Sequence, residues 1–196
     1  MKNTKTLVMY ALFTAIIVLM SFTPLGYLKT AFLEISFIMI PVAIGAVLMG
    51  PGAGAFFGTV FGITSFIQCF GLSQFGSVLL SINPFYTAIL CLVPRILMGW
   101  LTGLIFKGLY KVDKTKMASF AVANLSGALL NTIFFMLFLI LLFGNTKTIM
   151  DARGNMNIFA FVIAFVGTNG LIEAGVSFVV GTAVSKALFK STRFQD

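Results

Sequence analysis

The segment INPFYTAILCLVPRILMG, residues 82–99, places a proline and an arginine side by side at the end of an uncharged apolar run. If this run crosses a bilayer from Asn83, at 1.5 Å per residue Arg95 lies roughly 18 Å deep. An ionised side chain at that depth costs at least ~2.5 kcal/mol. Arg95 therefore needs a partner, either within the protein or in a bound solute.

Three more polar side chains are predicted at the same depth. Glu173 lies about fifteen residues into the last apolar run, and Asn169 lies one turn before it on the same helix face. Asn131 is about 21 Å along its own run, counted from the opposite side. These residues and Arg95 can converge at one level between three helices.

Two interpretations of this convergence stay open. In the first, a structural one, Arg95 pairs with Glu173 and the two asparagines satisfy the remaining donors. In the second, Arg95 attracts an anionic group of a solute, Glu173 orients the guanidinium, and the asparagines bind amide or hydroxyl groups. The two can also combine, because a ligand anion could share the guanidinium.

Prolines add further unsatisfied groups. Pro94 has no N–H, so it leaves the carbonyl of Leu90 without its helical partner, and lipid tolerates this only where protein, water or ligand replaces the bond. Pro41 is expected to do the same to Phe37. A cluster of polar side chains nearer the outer end could extend the site, although each alone is an ordinary interfacial loop residue: Gln68, Ser73, Gln74, Asn83 and Tyr86.

The composition of the chain indicates the kind of fold that holds these side chains in place. Of 196 residues, 59% are hydrophobic and 9% charged, and the mean hydropathy is +1.07. We predict an all-α integral membrane protein, with residues 1–196 forming a single six-helix domain, because each span needs roughly 20 apolar residues. The predicted spans are Leu7 to Phe22, Leu33 to Met49, Gly52 to Ile67, Phe85 to Phe106, Met117 to Phe143 and Ile158 to Leu188.

The basic residues predict the orientation. With both termini cytoplasmic, the inner side holds nine of the thirteen Lys and Arg residues and the outer side three, as the positive-inside rule requires. The inner group is Lys2, Lys5, Lys107, Lys111, Lys114, Lys116, Lys186, Lys190 and Arg193, and the outer group is Lys29, Lys147 and Arg153. The first span is read as retained, because no A-x-A-like site follows Phe22. The outer loops are predicted near 23–34, 68–83 and 144–157.

Several chemistries are excluded. The chain has no histidine, which removes histidine catalysis, haem ligation and the usual zinc sites. The five acidic residues are scattered, and Cys69 and Cys91 form no CxxC motif, so we expect buried thiols, no metal site, no cofactor and no enzyme activity. The positive-inside pattern explains the net charge of +8 without a nucleic-acid partner.

Small residues recur at helical spacing in two places. Gly54, Gly58 and Gly62 form two overlapping GxxxG patterns that allow a neighbouring helix to approach closely. Ala11 and Ala15 form an AxxxA strip near the inner end of the first span. This strip could pack internally or could dock another membrane subunit.

Together these features resemble a family, the substrate-binding S components of energy-coupling factor (ECF) vitamin transporters. The resemblance rests on six spans in about 190 residues, the basic inner face, the AxxxA strip and the block IPVAIGAVLMGPGAGAFFGTVFGITSFI, residues 40–67. It implies a protein that binds one vitamin from outside, docks through Ala11 and Ala15 on a scaffold subunit joined to two ATPases, and topples in the bilayer to release the vitamin inside. The chain has no GxxxxGK[ST] motif, which agrees with ATP being used only by partners.

The vitamin that the resemblance favours is pantothenate. TSFIQCFG and INPFYTAILCLVPRILMGWLTGLIFKGL look most like the pantothenate branch, and this vitamin offers a carboxylate to Arg95 and amide and hydroxyl groups to Asn131, Gln68 and Asn83. Riboflavin, folate and other vitamins remain alternatives. A stand-alone secondary transporter or small channel using Glu173 as a proton or ion carrier is the rival class, although the inverted repeats that it would need are not found. A structural scaffold held by Arg95 and Glu173 is the third.

Overall fold

The computed structural model describes residues 2–29, 34–113 and 117–192. The regular elements among these residues are helices, apart from one short antiparallel hairpin. Leu33, Lys114, Lys116 and Arg193, which enter the predictions above, lie outside the described residues. The elements in chain order are α1 (Lys2–Ser21), β1 (Tyr27–Lys29), β2 (Glu34–Ser36), α2 (Met39–Met49), α3 (Pro51–Gln68), α4 (Gln74–Ile82), α5 (Pro84–Val112), α6 (Ala118–Phe143), α7 (Lys147–Arg153), α8 (Ile158–Val176), a π-helical turn (Ser177–Gly181) and α9 (Thr182–Thr192).

Four helical stretches in the described part of the chain are long and apolar enough to cross a bilayer. They are Thr4–Ser21, Pro84–Val112, Ala118–Phe143 and Asn169–Ser191. The predicted class, a helical membrane protein, is confirmed by these stretches. The last of them runs continuously from α8 through the π-helical turn into α9.

The second predicted span, Leu33 to Met49, is wrong at its beginning. Residues 34–36 form β2, which pairs antiparallel with β1 so that Tyr27 lies opposite Ser36, and the helix begins only at Met39. Because Pro41 therefore lies in the first turn, its missing N–H removes no bond within the helix. The carbonyl of Phe37 accepts the N–H of Ile40 at 3.0 Å, so the orphaned group expected there is absent.

The predicted outer loops contain ordered elements. α4 lies within the segment predicted as the 68–83 loop and is capped by Ser73, whose hydroxyl accepts the N–H of Gly76 at 3.3 Å. α7 lies within the 144–157 loop and buries Ile149 in a cluster with Leu79 of α4 and Phe143 of α6. The short helices α4 and α7 therefore pack over the same end of the bundle.

Helices α3 and α5 pack in close contact through the predicted glycines. A Cβ atom added at Gly54 would overlap the carbonyl oxygen of Gly99, and one added at Gly58 would overlap the carbonyl oxygen of Arg95. The GxxxG prediction is confirmed, and the neighbour is α5 of the same chain. This packing holds the backbone around Arg95 against α3.

Helix α2 lies at the centre of the bundle, since its residues from Met39 to Leu48 are all buried. Helix α1 packs on α2 and α3 through buried Phe13 and Ile17. Its opposite face carries Ala11 and Ala15, both exposed, among exposed leucines. The AxxxA strip therefore faces away from the rest of the described chain.

Candidate functional site

A cavity of about 300 Å³ lies among the hairpin, α3, α4, α5, α6 and α8. This volume is typical of small-molecule sites. Its lining combines one cation, one acid, several amides and hydroxyls, and a group of apolar side chains. The lining residues are Tyr27, Ser36, Ser65, Gln68, Cys69, Ser73, Gln74, Phe75, Gly76, Leu79, Thr87, Leu90, Cys91, Arg95, Asn131, Thr132, Phe135, Val166, Asn169 and Glu173.

Arg95 replaces the hydrogen bond that Pro94 removes. Its Nη1 donates to the carbonyl oxygen of Leu90 at 2.7 Å, and this carbonyl belongs to the residue four positions before Pro94. The replacement donor that the proline requires is therefore supplied by the adjacent residue in sequence. The proline in the sequence predicted the need for a donor, but not that Arg95 is that donor.

The guanidinium of Arg95 lies between two aromatic rings. Its Cζ is 5.5 Å from the ring centroid of Phe61 on α3 and 5.1 Å from that of Phe135 on α6, within the range of cation–π attraction. The residue is 9% exposed, and its buried Nε has no hydrogen-bond partner in the described part of the chain. A desolvated cation with an unused donor has the chemistry to bind an anion.

Glu173 binds the hairpin. Its Oε1 accepts the backbone N–H of Ser36 at 2.7 Å, which joins α8 to β2 across 137 positions in sequence. Among the described residues Arg95 and Glu173 form no ion pair with each other, so the direct pairing of the structural interpretation is absent. Both side chains nevertheless line the same cavity.

Two buried polar oxygens in the cavity lining have no partner among the described residues. Asn131 and Ser36 are each 7% exposed, and neither Asn131 Oδ1 nor Ser36 Oγ makes a hydrogen bond there. Buried polar atoms of this kind are uncommon, and each costs about 1–3 kcal/mol if nothing binds it. The unmatched groups would be satisfied by a solute that carries both an anionic group and hydrogen-bond donors.

The other predicted site residues fall into two groups. Gln68 and Asn169 line the cavity, and Gln68 Nε2 also donates to the carbonyl of Ser21 at the end of α1. Asn83 and Tyr86 lie outside the lining. Asn83 Oδ1 accepts the N–H groups of Phe85 and Tyr86 at 3.0 and 3.1 Å and so begins α5, while the half-exposed Tyr86 ring packs edge-on against Phe143.

Several residues of the cavity lining were not predicted from the sequence. Thr87 and Cys91 precede Arg95 by eight and four positions. Residues at this spacing lie on the same face of a helix, so the position of Arg95 predicts that both also line the cavity. Phe135 follows Asn131 by the same four positions. Ser36 carries no such signal, because it reaches the cavity only through the hairpin.

The family comparison agrees with this architecture. A family model, the substrate-specific component of ECF transporters, matches residues 5–185. The chain belongs to this family. It is therefore a transporter component, not an enzyme, and a multi-pass protein of the cell membrane, as the resemblance predicted.

Two curated relatives extend the comparison. The pantothenate transporter PanT of Leuconostoc mesenteroides is 29% identical over 194 residues, which cover 95% of this chain and 93% of that protein. The pantothenic acid transporter PanT of Lactococcus lactis is 28% identical over 163 residues, which cover 78% of this chain and 76% of that protein. Both similarities extend over most of the chain.

Proposed function

We propose that this chain binds pantothenate from outside the cell and is the S component of an ECF transporter for that vitamin. The observation that carries the proposal is the unpartnered Nε of buried Arg95 in a cavity that also holds the unpartnered Asn131 Oδ1. Two relatives of this chain are named as pantothenate transporters, which supports this choice of vitamin.

The chemistry of pantothenate matches the cavity. Its carboxylate would accept a charge-assisted hydrogen bond from Arg95, whose Nη1 is already used by Leu90. Its hydroxyl and amide donors would satisfy Asn131 Oδ1 and Ser36 Oγ. Its branched hydrocarbon part would lie against the apolar lining residues Phe75, Leu79, Leu90, Phe135 and Val166.

The proposed topology is a single membrane domain of six spans, residues 1–196, with both termini cytoplasmic. The charge asymmetry of nine inner against three outer basic residues supports this orientation. In this topology α2 and α3 form the second and third spans. The hairpin, α4 and α7 then lie on the outer side above the cavity, and lipid covers the exposed apolar residues of the outer helices.

The proposed partners are a scaffold subunit and two ATPases, and the chain itself uses no cofactor. Ala11 and Ala15 are exposed on α1, which suits close approach by a helix of the scaffold. Energy from ATP would reach the bound vitamin only through this contact. No binding to nucleic acid is proposed, because the basic residues follow the membrane orientation.

The first test is a titration of the purified protein with pantothenate, riboflavin and folate, without ATP or partner subunits. We expect one-to-one binding of pantothenate, lost in Arg95→Ala and weakened about tenfold or more in Asn131→Ala. Ser126→Ala is the matched control on α6, because its hydroxyl donates only to Ala123 of its own helix. Binding of another vitamin, or wild-type affinity in a folded Arg95→Ala protein, would contradict the proposal.

A second test separates the rival class. Pantothenate uptake into liposomes that contain this chain alone, driven by an ion gradient and without ATP, would favour a stand-alone secondary transporter. We expect no such uptake, and we expect uptake once the scaffold, the ATPases and ATP are added. The ion gradient should have no effect on the rate of uptake by the complete transporter.

A further inference from the structure

Two thiols meet in the wall of the cavity. Cys69 follows the last residue of α3, Cys91 lies within α5, and their Sγ atoms are 3.8 Å apart. Both residues are reduced, buried and part of the lining. We propose that this pair is a modification site, which low-molecular-weight disulfides convert into a Cys69–Cys91 disulfide that alters the cavity.

The geometry requires only a small movement. The two sulfurs must approach each other by roughly 1.8 Å to reach the S–S bond length of about 2.05 Å. Cys91 lies in the interior of a long helix, whereas Cys69 begins the turn 69–73, in which Gly71 has a φ of +133°. Cys69 is therefore the member of the pair that can shift, by changing its rotamer and its place in this turn.

The reaction is a thiol–disulfide exchange in two steps. The thiolate of one cysteine attacks a small disulfide RSSR, forming a mixed disulfide and releasing RS⁻. The thiolate of the second cysteine then attacks the protein sulfur of the mixed disulfide, forming the Cys69–Cys91 bond and releasing a second RS⁻. Two protein thiols are oxidised, one small disulfide is reduced to two thiols, and the two thiol protons pass to solvent or to the released thiolates.

The consequence for the cavity follows from the contacts of Cys69 with α4. The hydroxyl of Ser77 donates to the carbonyl of Cys69 at 2.9 Å, and a Cβ atom added at Gly76 would lie 2.7 Å from Cys69 Sγ. Gln74, Phe75 and Leu79 of the same short helix line the cavity. A shift of Cys69 toward α5 therefore displaces α4 and the lining residues that it carries.

The test of disulfide formation needs no vitamin. The purified full-length protein is treated with hydroxyethyl disulfide, freed of reagent, and measured by intact mass and by alkylation of remaining thiols. We expect wild type to lose both thiols and the mass of two hydrogens, whereas Cys69→Ser and Cys91→Ser each retain a mixed-disulfide adduct. Two unreacted thiols, or stable adducts on the wild-type protein, would overturn the proposal.

The effect on the cavity is then measured as pantothenate affinity before and after treatment, a readout that rests on the proposed function. We expect the oxidised wild type to bind at least about tenfold more weakly, because displacement of α4 removes the apolar contacts of Phe75 and Leu79 with the ligand, and we expect dithiothreitol to restore binding. The double variant Cys69→Ser/Cys91→Ser is the control. Its pantothenate affinity after treatment with hydroxyethyl disulfide should equal its own affinity before treatment. A disulfide that forms without altering the affinity for pantothenate would overturn the effect on the cavity. If the reduced protein does not bind pantothenate at all, the proposed function is refuted, but the mass measurement of disulfide formation is unaffected.

Discussion

Replacing Pro94 by alanine is expected to make the folded state less dependent on Arg95. In the wild-type chain Arg95 Nη1 is the donor to the Leu90 carbonyl, because Pro94 has no N–H to offer it. Leu90 is 1% exposed, so Arg95→Ala leaves a buried acceptor without a partner, which costs about 1–3 kcal/mol. In a Pro94→Ala chain the backbone N–H that the substitution introduces can make the ordinary helical bond, and most of that cost should disappear.

The measurement is a double-mutant cycle on ligand-free protein, with the free energy of unfolding obtained by SDS titration in mixed micelles. We expect Pro94→Ala and Arg95→Ala to couple by about 1–3 kcal/mol, with the double variant more stable than the sum of the single changes allows. Val47→Ala provides the control, since Val47 packs in a separate cluster with Phe106 and Phe120 and should add independently to Pro94→Ala.

Vitamin binding should respond differently from stability in the same four proteins. Arg95→Ala should abolish pantothenate binding both in the wild-type chain and in the Pro94→Ala chain. The reason is that the ligand would bind the unpartnered Nε of Arg95, whereas Nη1 serves the Leu90 carbonyl. If Arg95→Ala costs the same stability in both backgrounds to within about 0.5 kcal/mol, the capping of the Leu90 carbonyl by Arg95 is refuted.

Three further changes test other parts of the structure. Gly58→Ala should destabilise the protein by about 1–3 kcal/mol because its Cβ would overlap the Arg95 carbonyl, whereas Gly52→Ala, with open space around its position, should be neutral or slightly stabilising in the same unfolding assay. Glu173→Ala should speed hydrogen exchange at the Ser36 amide about tenfold or more because its acceptor is lost, whereas Glu173→Gln retains an acceptor oxygen and should remain near wild type. Ala11→Leu and Ala15→Leu should block ATP-driven uptake yet leave pantothenate binding by the isolated chain intact, and loss of binding in these two variants would show that α1 does more than dock.

The apolar runs predicted the membrane class and the main helices because hydrophobicity and length are local properties. The depth of Arg95 along its helix followed from the rise per residue, and the broken bond at Leu90 followed from the proline. The predicted boundary of the second span was less accurate, because pairing with a distant strand competes there with continuation of the helix. Residues 34–36, Glu-Ile-Ser, directly precede an apolar run and were predicted as part of its helix, but their backbone groups bond to β1 and to Glu173 instead.

Asn83 shows the same difficulty within the candidate site. A polar residue above Arg95 was a reasonable ligand-binding candidate, but the first turn of α5 has free N–H groups that its side chain caps. The structure instead places Ser36, Cys69 and Phe135 in the lining. Neither Ser36 nor Cys69 carries a sequence signal that separates it from an ordinary loop residue.

The sequence was sufficient to establish a helical membrane protein with a buried cation that needs compensation. It was not sufficient to show which groups provide that compensation. Ser36 and Glu173 are 137 positions apart, and the rotation of each helix about its own axis decides which side chains meet. That rotation depends on contacts such as those of Gly54 and Gly58 with α5, which arise only when the helices pack together.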